Sequence, residues 1–237
     1  LPGEGQPHLP PGEYRVDLGD ARRWLEEGEV SVVSPLDSAA RAQIELREEH
    51  EQFLEWLDED TWAEWVNGEV ILMSPVSDEH QAVVNYLTTL LLFHTLETRA
   101  GRVLTEPFQM KSGPNLPGRS PDILFVSAER QHLIQRHFLN GPADLVVEVI
   151  SPESRARDRG EKYYEYEQAG VREYWIIDPE RKQVEFYVLS EKGIYQPAFV
   201  GQEGEYHSVA IEGFWLRVEW LWERPPMMEV IKVWGWV

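Results

Sequence analysis

Two carboxylates in this sequence stand where a carboxylate is costly. Glu148 interrupts the otherwise apolar segment 144–150, DLVVEVI, and Asp122 follows a proline just before the apolar run 123–126. A buried, ionised carboxylate needs a cation or hydrogen-bond donors to compensate its lost hydration. Arg172 is one structural partner available to Glu148. If the two acids instead meet across adjacent strands, their oxygens form a site that suits Mg²⁺ or Mn²⁺.

A run of basic residues follows the Glu148 segment along the chain. It consists of Arg155, Arg157, Arg159 and Lys162. Such a run is either the solvated face of a loop and helix or a contact surface for the phosphates of a nucleic acid. The sequence alone does not decide between these two interpretations.

Hydrophobic periodicity predicts the elements that must position these residues. Helices are predicted at 21–27, at 38–57, from the N-cap Ser77 to about Thr98, and from a capping box of Asp158 and Glu161 to a C-cap at Gly170. Strands are predicted at 63–74 with a turn at Asn67-Gly68, and at 102–110, 123–126, 144–150, 173–177, 183–189, 195–200 and 208–215. This order indicates a mixed sheet with helices against it, in the α+β or α/β class, and extra C-terminal strands. The C-terminal tryptophans either cover the end of the core or form a subunit interface.

Composition excludes several classes of site. The 237 residues include no cysteine, which removes disulfide frameworks, thiolate zinc sites and cysteine nucleophiles. The formal net charge is −20, and −15 of it arises from 22 acidic and 7 basic residues before position 111. Residues 111–182 hold 12 acidic and 11 basic residues, a sum of −1, so the segment with Asp122 and Glu148 is nearly neutral. A nucleic-acid substrate is therefore compatible with the sequence, with weak and salt-sensitive binding.

Several motifs in order resemble the Uma-type family of bacterial endonucleases, a branch of the PD-(D/E)XK nuclease superfamily. The matching segments are AEWVNGEVILMSP at 63–75, His80, SPDILFV at 120–126, PADLVVEVISPES at 142–154, Asp158, Lys162, Tyr166 and AGVREYWIIDP at 169–179. The resemblance implies a restriction-endonuclease-like domain, which we expect to span 50–237 after an N-terminal extension with short helices at 1–49.

The resemblance also implies which residues form the site. Asp122 matches the PD aspartate and Glu148 the acid of the second half-motif. The superfamily's simplest pattern places a lysine two residues after that acid, where this chain has Ile150. In the Uma-type pattern the lysine comes from the following helix, and the matching residue is Lys162. Helical spacing places Lys162 on one face with Tyr166, so its ammonium can reach the strand end; the alternative is a surface lysine paired with the acid four residues earlier.

The implied mechanism is metal-assisted hydrolysis of a phosphodiester. Asp122, Glu148 and the backbone carbonyl of Val149 would hold Mg²⁺ or Mn²⁺, and Lys162 would stabilise charge on the phosphate. Glu64 or Glu69, which match family acids, would add a ligand or remain surface residues. His80, in the first turn of a helix whose dipole favours a neutral imidazole, would take part in catalysis or anchor the helix to the sheet.

The sequence thus predicts a cytoplasmic, Mg²⁺-dependent DNA endonuclease without a membrane segment. Arg155, Arg157 and Arg159 would contact nucleic acid, and a homodimer would cut both strands of a duplex most easily. A catalytically silent nuclease fold that serves protein binding or oligomerisation is the alternative, since the net charge and the displaced lysine favour it. A hydrolase of smaller phosphate esters is a third possibility.

Overall fold

A computed structural model describes residues 77–113, 116, 118–151 and 154–237, together with the backbone of strands at 14–16, 63–66 and 69–72. The helices predicted at 21–27 and 38–57, and the turn at Asn67-Gly68, lie outside the described residues. No helix in the described part of the chain is long and apolar enough to span a bilayer.

Groups of consecutive strands are separated by helices. The described strands are β1 (Tyr14–Val16), β2 (Ala63–Val66), β3 (Glu69–Leu72), β4 (Gly101–Thr105), β5 (Gln109–Lys111), β6 (Gly118–Arg119), β7 (Ile123–Ser127), β8 (Phe138–Asn140), β9 (Leu145–Val149), β10 (Glu173–Asp178), β11 (Gln183–Leu189), β12 (Tyr195–Gly201), β13 (Glu205–His207) and β14 (Trp215–Arg217). The described helices are α1 (Asp78–Thr98), α2 (Arg155–Asp158), α3 (Glu161–Ala169), α4 (Trp220–Glu223) and α5 (Met227–Val233), with a 3₁₀ helix at Ala128–Leu133.

The central sheet has six strands in the order β12-β11-β10-β9-β7-β4. Strands β9 and β10 are parallel, and the other neighbours are antiparallel. Apolar side chains of β9 pack alternately on both faces, which explains the continuous apolar run of this strand. One face is covered by α1, and the other contacts Tyr166 of α3. The predicted mixed sheet flanked by helices is confirmed.

A second sheet has the order β1-β3-β2-β6-β5-β8. Its β2–β3 pair has the register of the predicted hairpin, with Trp65 opposite Val70. The single strand predicted at 102–110 is wrong, because β4 joins the central sheet and β5 joins the second one. Pro107 lies between them and has no N–H to continue a ladder.

The C-terminal segment packs on the α1 side of the central sheet. Strands β13 and β14 form an antiparallel pair, followed by α4 and α5. The strand predicted at 208–215 is wrong, because backbone N–H groups at its start bond to the buried Glu173 instead of a neighbouring strand. Trp220 is buried in the core and Trp234 packs against it, as expected of tryptophans that cover its end.

Candidate active site

Asp122 and Glu148 are neighbours across two strands of the central sheet. Strand β7 pairs with β9 so that Ile123 lies opposite Val147, which places Asp122, one residue earlier, beside Glu148. The backbone N–H of Val149 donates a hydrogen bond to Asp122 Oδ2 at 2.6 Å, so the aspartate is tied to the strand that carries the glutamate. Both residues are buried, with 8% and 4% of their surface exposed.

Helix α3 supplies the partners of Glu148. The Tyr166 hydroxyl donates to Glu148 Oε1 at 2.7 Å, and the Lys162 ammonium lies 2.9 Å from Oε2. Lys162 and Tyr166 are four residues apart and share the helix face that packs on the sheet, as the sequence spacing indicates. Arg172, the other partner considered for Glu148, is exposed.

Asp158 joins the same cluster from α2. Its Oδ1 lies 3.3 Å from the Lys162 ammonium, and both side chains are almost fully buried. The predicted capping box is therefore wrong, because the N-cap of α3 is Gly160 and the Asp158 carboxylate faces Lys162. The i, i+4 pair exists, but Lys162 is 2% exposed and is not a surface lysine.

His80 contacts the other oxygen of Asp122. Ser77 caps α1 by accepting the His80 backbone N–H at 3.2 Å, and the ring Nε2 lies 3.3 Å from Asp122 Oδ1. Burial disfavours the charged ring, but the hydrogen bond to Asp122 and the charges of Asp122 and Glu106 outweigh it and raise the pKa of His80. The direction of this pKa shift is opposite to the one expected from the helix dipole, because the neighbouring carboxylates act more strongly than the helix end.

A buried phenol, that of Tyr174, is affected by all three acids. Tyr174 is fully buried and donates from its hydroxyl to the backbone carbonyl of Asp158 at 3.0 Å. Burial, followed by the charges of Asp158, Glu148 and Asp122, raises the pKa of Tyr174 well above its usual value. The hydroxyl keeps its proton, and the carboxylates act on it from one side of the sheet.

The described side chains of this cluster include more acidic than basic groups. Three buried carboxylates face one ammonium and one imidazole. Among the described side chains no three His, Asp or Glu residues are arranged to enclose a metal ion. Two adjacent carboxylates and a backbone oxygen nevertheless suit Mg²⁺, which usually keeps several waters and binds few carboxylates. The residues present therefore fit a divalent ion with an open coordination sphere.

The remaining predicted site residues lie at the border of this cluster. Glu64 is in β2 and Glu69 in β3; their side chains lie outside the described part. Strand β2 pairs with β6, which leads into Asp122. The hairpin thus borders the candidate site, and a ligand role for either glutamate remains a prediction.

Arg155 and Arg159 are held by acidic residues. Arg155 Nη2 lies 3.2 Å from both Asp178 and Glu180, and Arg159 Nη2 lies 2.6 Å from Glu185. Arg157 is half-buried on the same short helix, α2. The basic run therefore lies just after the Glu148 strand, and neighbouring acidic side chains partly neutralise its charge.

Sequence reasoning missed an ion pair that joins the two halves of the site. Arg119, three residues before Asp122, is fully buried, and its Nε and Nη2 each donate to Glu165 at 2.8 Å. Glu165 lies on α3 between Lys162 and Tyr166. This bidentate pair therefore links the segment before Asp122 to the helix whose side chains contact Glu148. The partners are 46 residues apart, and no local pattern relates them.

Comparisons with known proteins agree with this fold. The family model Uma2, described as "Putative restriction endonuclease", matches residues 50–219. The fold is similar to the crystal structure of a "putative nuclease belonging to DUF820" from Anabaena variabilis, with a TM-score of 0.62 and 17% sequence identity over 73% of this chain and 96% of that one. The comparison with curated proteins found no match. Since the family model covers more than half of the sequence, including Asp122, Glu148 and Lys162, this chain belongs to the Uma2 family of restriction-endonuclease-like proteins.

Proposed function

We propose that this protein is a divalent-metal-dependent endonuclease that hydrolyses phosphodiester bonds of DNA. The observation that carries the proposal is the cluster of three buried carboxylates, Asp122, Glu148 and Asp158, beside a single lysine at the end of the β7–β9 pair. Buried carboxylates persist when they are paired or coordinate metal, and a cluster that exceeds its internal cations has affinity for another cation. A family of nucleases supplies the substrate class.

The residues of the site have distinct proposed roles. Asp122, Glu148 and the Val149 carbonyl would hold Mg²⁺ or Mn²⁺, with Glu64 or Glu69 as a further ligand. The ion, when bound, polarises the scissile phosphate and lowers the pKa of a water molecule. Lys162 would then lie beside the phosphate and stabilise its developing charge.

Two further side chains would fix the metal ligands. His80 Nε2 contacts Asp122 Oδ1, so the ring holds that carboxylate in one orientation. The Tyr166 hydroxyl does the same for Glu148. Such supporting contacts keep ligands in their productive geometry, and their loss typically lowers metal affinity or activity. The geometry thus favours the anchoring role of His80 over direct proton transfer.

The substrate surface would begin at α2. Arg155, Arg157 and Arg159 would contact DNA phosphates, and Asp178 and Glu185 compete for two of them. Binding would therefore be weak and strongly dependent on salt. A homodimer would place two sites on the two strands of a duplex.

A catalytically silent binding module is the second candidate. The pairing of Arg155 and Arg159 with acids and the net charge of −20 favour it over an enzyme that binds DNA tightly. In this case the fold and the carboxylate cluster would be retained without cleavage of nucleic acid.

Plasmid cleavage in Mg²⁺ or Mn²⁺ separates the two candidates. Wild type should nick or linearise the DNA, whereas Asp122→Asn and Lys162→Ala should each lower the rate about 100-fold or more. Lys182→Ala removes an exposed lysine and serves as the matched control, with a rate close to wild type. Cleavage that survives both site changes rejects the assigned residues, and no cleavage by wild type with either ion supports the silent module.

A further inference from the structure

Two buried carboxylates share the ammonium of Lys162. The distances from Nζ are 2.9 Å to Glu148 Oε2 and 3.3 Å to Asp158 Oδ1. All three side chains are at least 95% buried. Glu148 has a proposed role as a metal ligand, whereas Asp158 has no proposed contact with the metal ion or the phosphate.

A divalent ion and this ammonium would compete for Glu148. Tyr166 already donates to Oε1, so an ion that uses Oε2 approaches the atom that Lys162 contacts. A buried ammonium that loses its carboxylate without a replacement is strongly destabilised. The metal would therefore bind more weakly if Lys162 had no second acceptor.

Asp158 is placed to be that acceptor. It lies on α2, outside the helix that carries Lys162, and its backbone carbonyl accepts the Tyr174 hydroxyl at 3.0 Å. Its backbone N–H donates to the Ser154 carbonyl at 3.0 Å. Because these contacts do not involve Glu148, Asp158 keeps its position when the glutamate turns toward an ion.

We propose that Asp158 is a positioning residue that holds the Lys162 ammonium in the site while Glu148 binds the metal ion. The inference rests on the proposed function. Lys162 would move its main contact from Glu148 to Asp158 when the ion binds, and so remain beside the phosphate. Asp158 would act only through Lys162.

A double-mutant cycle on metal affinity tests this dependence. Isothermal titration with Mn²⁺ would compare wild type, Asp158→Asn, Lys162→Met and the double variant. We expect Asp158→Asn to weaken Mn²⁺ binding about tenfold in the presence of Lys162, and to have no effect in the Lys162→Met background. Asp158→Ser replaces Asp158→Asn if the amide prevents folding, with the same expectation.

Asp178→Asn is the matched control for loss of a buried charge. Asp178 is fully buried on β10, and its ion-pair partners are Arg155, Arg159 and Arg181 rather than Lys162. Its substitution should change Mn²⁺ affinity less than Asp158→Asn and equally in both backgrounds. If Asp158→Asn weakens binding equally with and without Lys162, it acts by general charge and the inference is overturned; unchanged affinity in Asp158→Asn overturns it too.

Activity gives an independent readout. At saturating Mn²⁺, Asp158→Asn should lower the single-turnover cleavage rate and leave the DNA concentration for half-maximal rate unchanged. Asp158→Glu, which restores a carboxylate, should recover most of the lost Mn²⁺ affinity. If wild type binds Mn²⁺ but does not cut DNA, the proposed function is rejected, and the double-mutant cycle on Mn²⁺ affinity still tests the role of Asp158. If wild type binds no Mn²⁺, both the proposed function and the role of Asp158 are rejected.

Discussion

Two buried glutamates on neighbouring parallel strands are compensated in opposite ways. Glu173 on β10 is completely buried, and five donors contact its two oxygens. They are the indole of Trp175 and the hydroxyl of Tyr206 on Oε1, and the hydroxyl of Ser208 with the backbone N–H groups of Val209 and Ala210 on Oε2, at 2.7–3.0 Å. Every one of these donors is uncharged.

Glu148 on β9 is compensated by a phenol and by a shared cation. Tyr166 donates to one oxygen, and the Lys162 ammonium contacts the other while also contacting Asp158. A third carboxylate, Asp122, lies beside it across the sheet. Among the described side chains, this glutamate is thus part of a cluster of three carboxylates, one ammonium and one imidazole.

The difference separates a structural carboxylate from one with a proposed role in metal binding. Neutral donors surround the Glu173 carboxylate, and their hydrogen bonds hold the loop after β13 against the sheet. This carboxylate therefore stabilises the fold. Lys162 is a single cation shared between two acids, and a second cation can take over part of its role. We infer that burial alone does not identify a site, and that the kind of compensation does.

The largest expected effect is the loss of Glu173. Glu173→Ala removes the acceptor of five donors, of which two are buried and three are partly buried. Unsatisfied buried donors are costly, so we expect the free energy of unfolding to fall by about 4 kcal/mol. Chemical denaturation followed by tryptophan fluorescence measures it. A loss below about 1 kcal/mol would show that the loop finds other acceptors and would remove the contrast with Glu148.

Substitution of Glu148 should affect stability less than substitution of Glu173, and should affect activity instead. Glu148→Gln relieves repulsion among three carboxylates and leaves Lys162 its contact with Asp158. Without divalent ions, the free energy of unfolding should therefore fall by about 1 kcal/mol at most, or increase. Cleavage activity should be lost. A destabilisation as large as that of Glu173→Ala would mean that Glu148 is also a structural carboxylate.

The smallest effect concerns His94, a buried ionisable residue compensated like Glu173. It lies among the rings of Phe214, Trp234 and Trp236, and Nε2 is 3.0 Å from the Glu212 carbonyl. Burial lowers its pKa from the usual 6.5, although the contact with Glu212 opposes the shift. The folded state therefore keeps the ring neutral at a pH where the unfolded chain is protonated.

This shift predicts the pH dependence of stability. The contribution of His94 to the free energy of unfolding is fully present above pH 6.5. It decreases as the pH falls through 6.5 toward the lowered pKa of His94 in the folded state. His94→Gln keeps an N–H donor without titrating, so its unfolding free energy should lose this part of the slope between pH 7 and 5. His132→Gln, at an exposed histidine, is the control with the wild-type slope. Equal slopes for His94→Gln and wild type would contradict the assignment.

The sequence indicates the acids of the site better than their partners. Asp122 and Glu148 are visible because a carboxylate in an apolar run is costly in any fold. The spacing of Asp158 to Glu161 fits a capping box, yet its spacing to Lys162 fits an ion pair equally well. Local spacing cannot choose between these, since the choice depends on burial by α3 against the sheet.

Glu173 shows why long-range compensation escapes sequence patterns. Three of its donors, at 208–210, lie 35 to 37 residues further along the chain. The segment 208–215 alternates like a strand, and nothing local indicates that its N–H groups bond to a side chain. The same limit applies to Arg119 and Glu165, whose pairing follows only from the way β6 and α3 meet.

Metal binding by matched variants tests the central claim most directly. Titration with Mn²⁺ followed by electron paramagnetic resonance would compare wild type, Glu148→Gln and Glu173→Gln under conditions where all three are folded. We predict one bound Mn²⁺ in wild type and Glu173→Gln, and at least about tenfold weaker binding in Glu148→Gln. Equal binding by Glu148→Gln and wild type would contradict the assignment of Asp122 and Glu148 as the metal site.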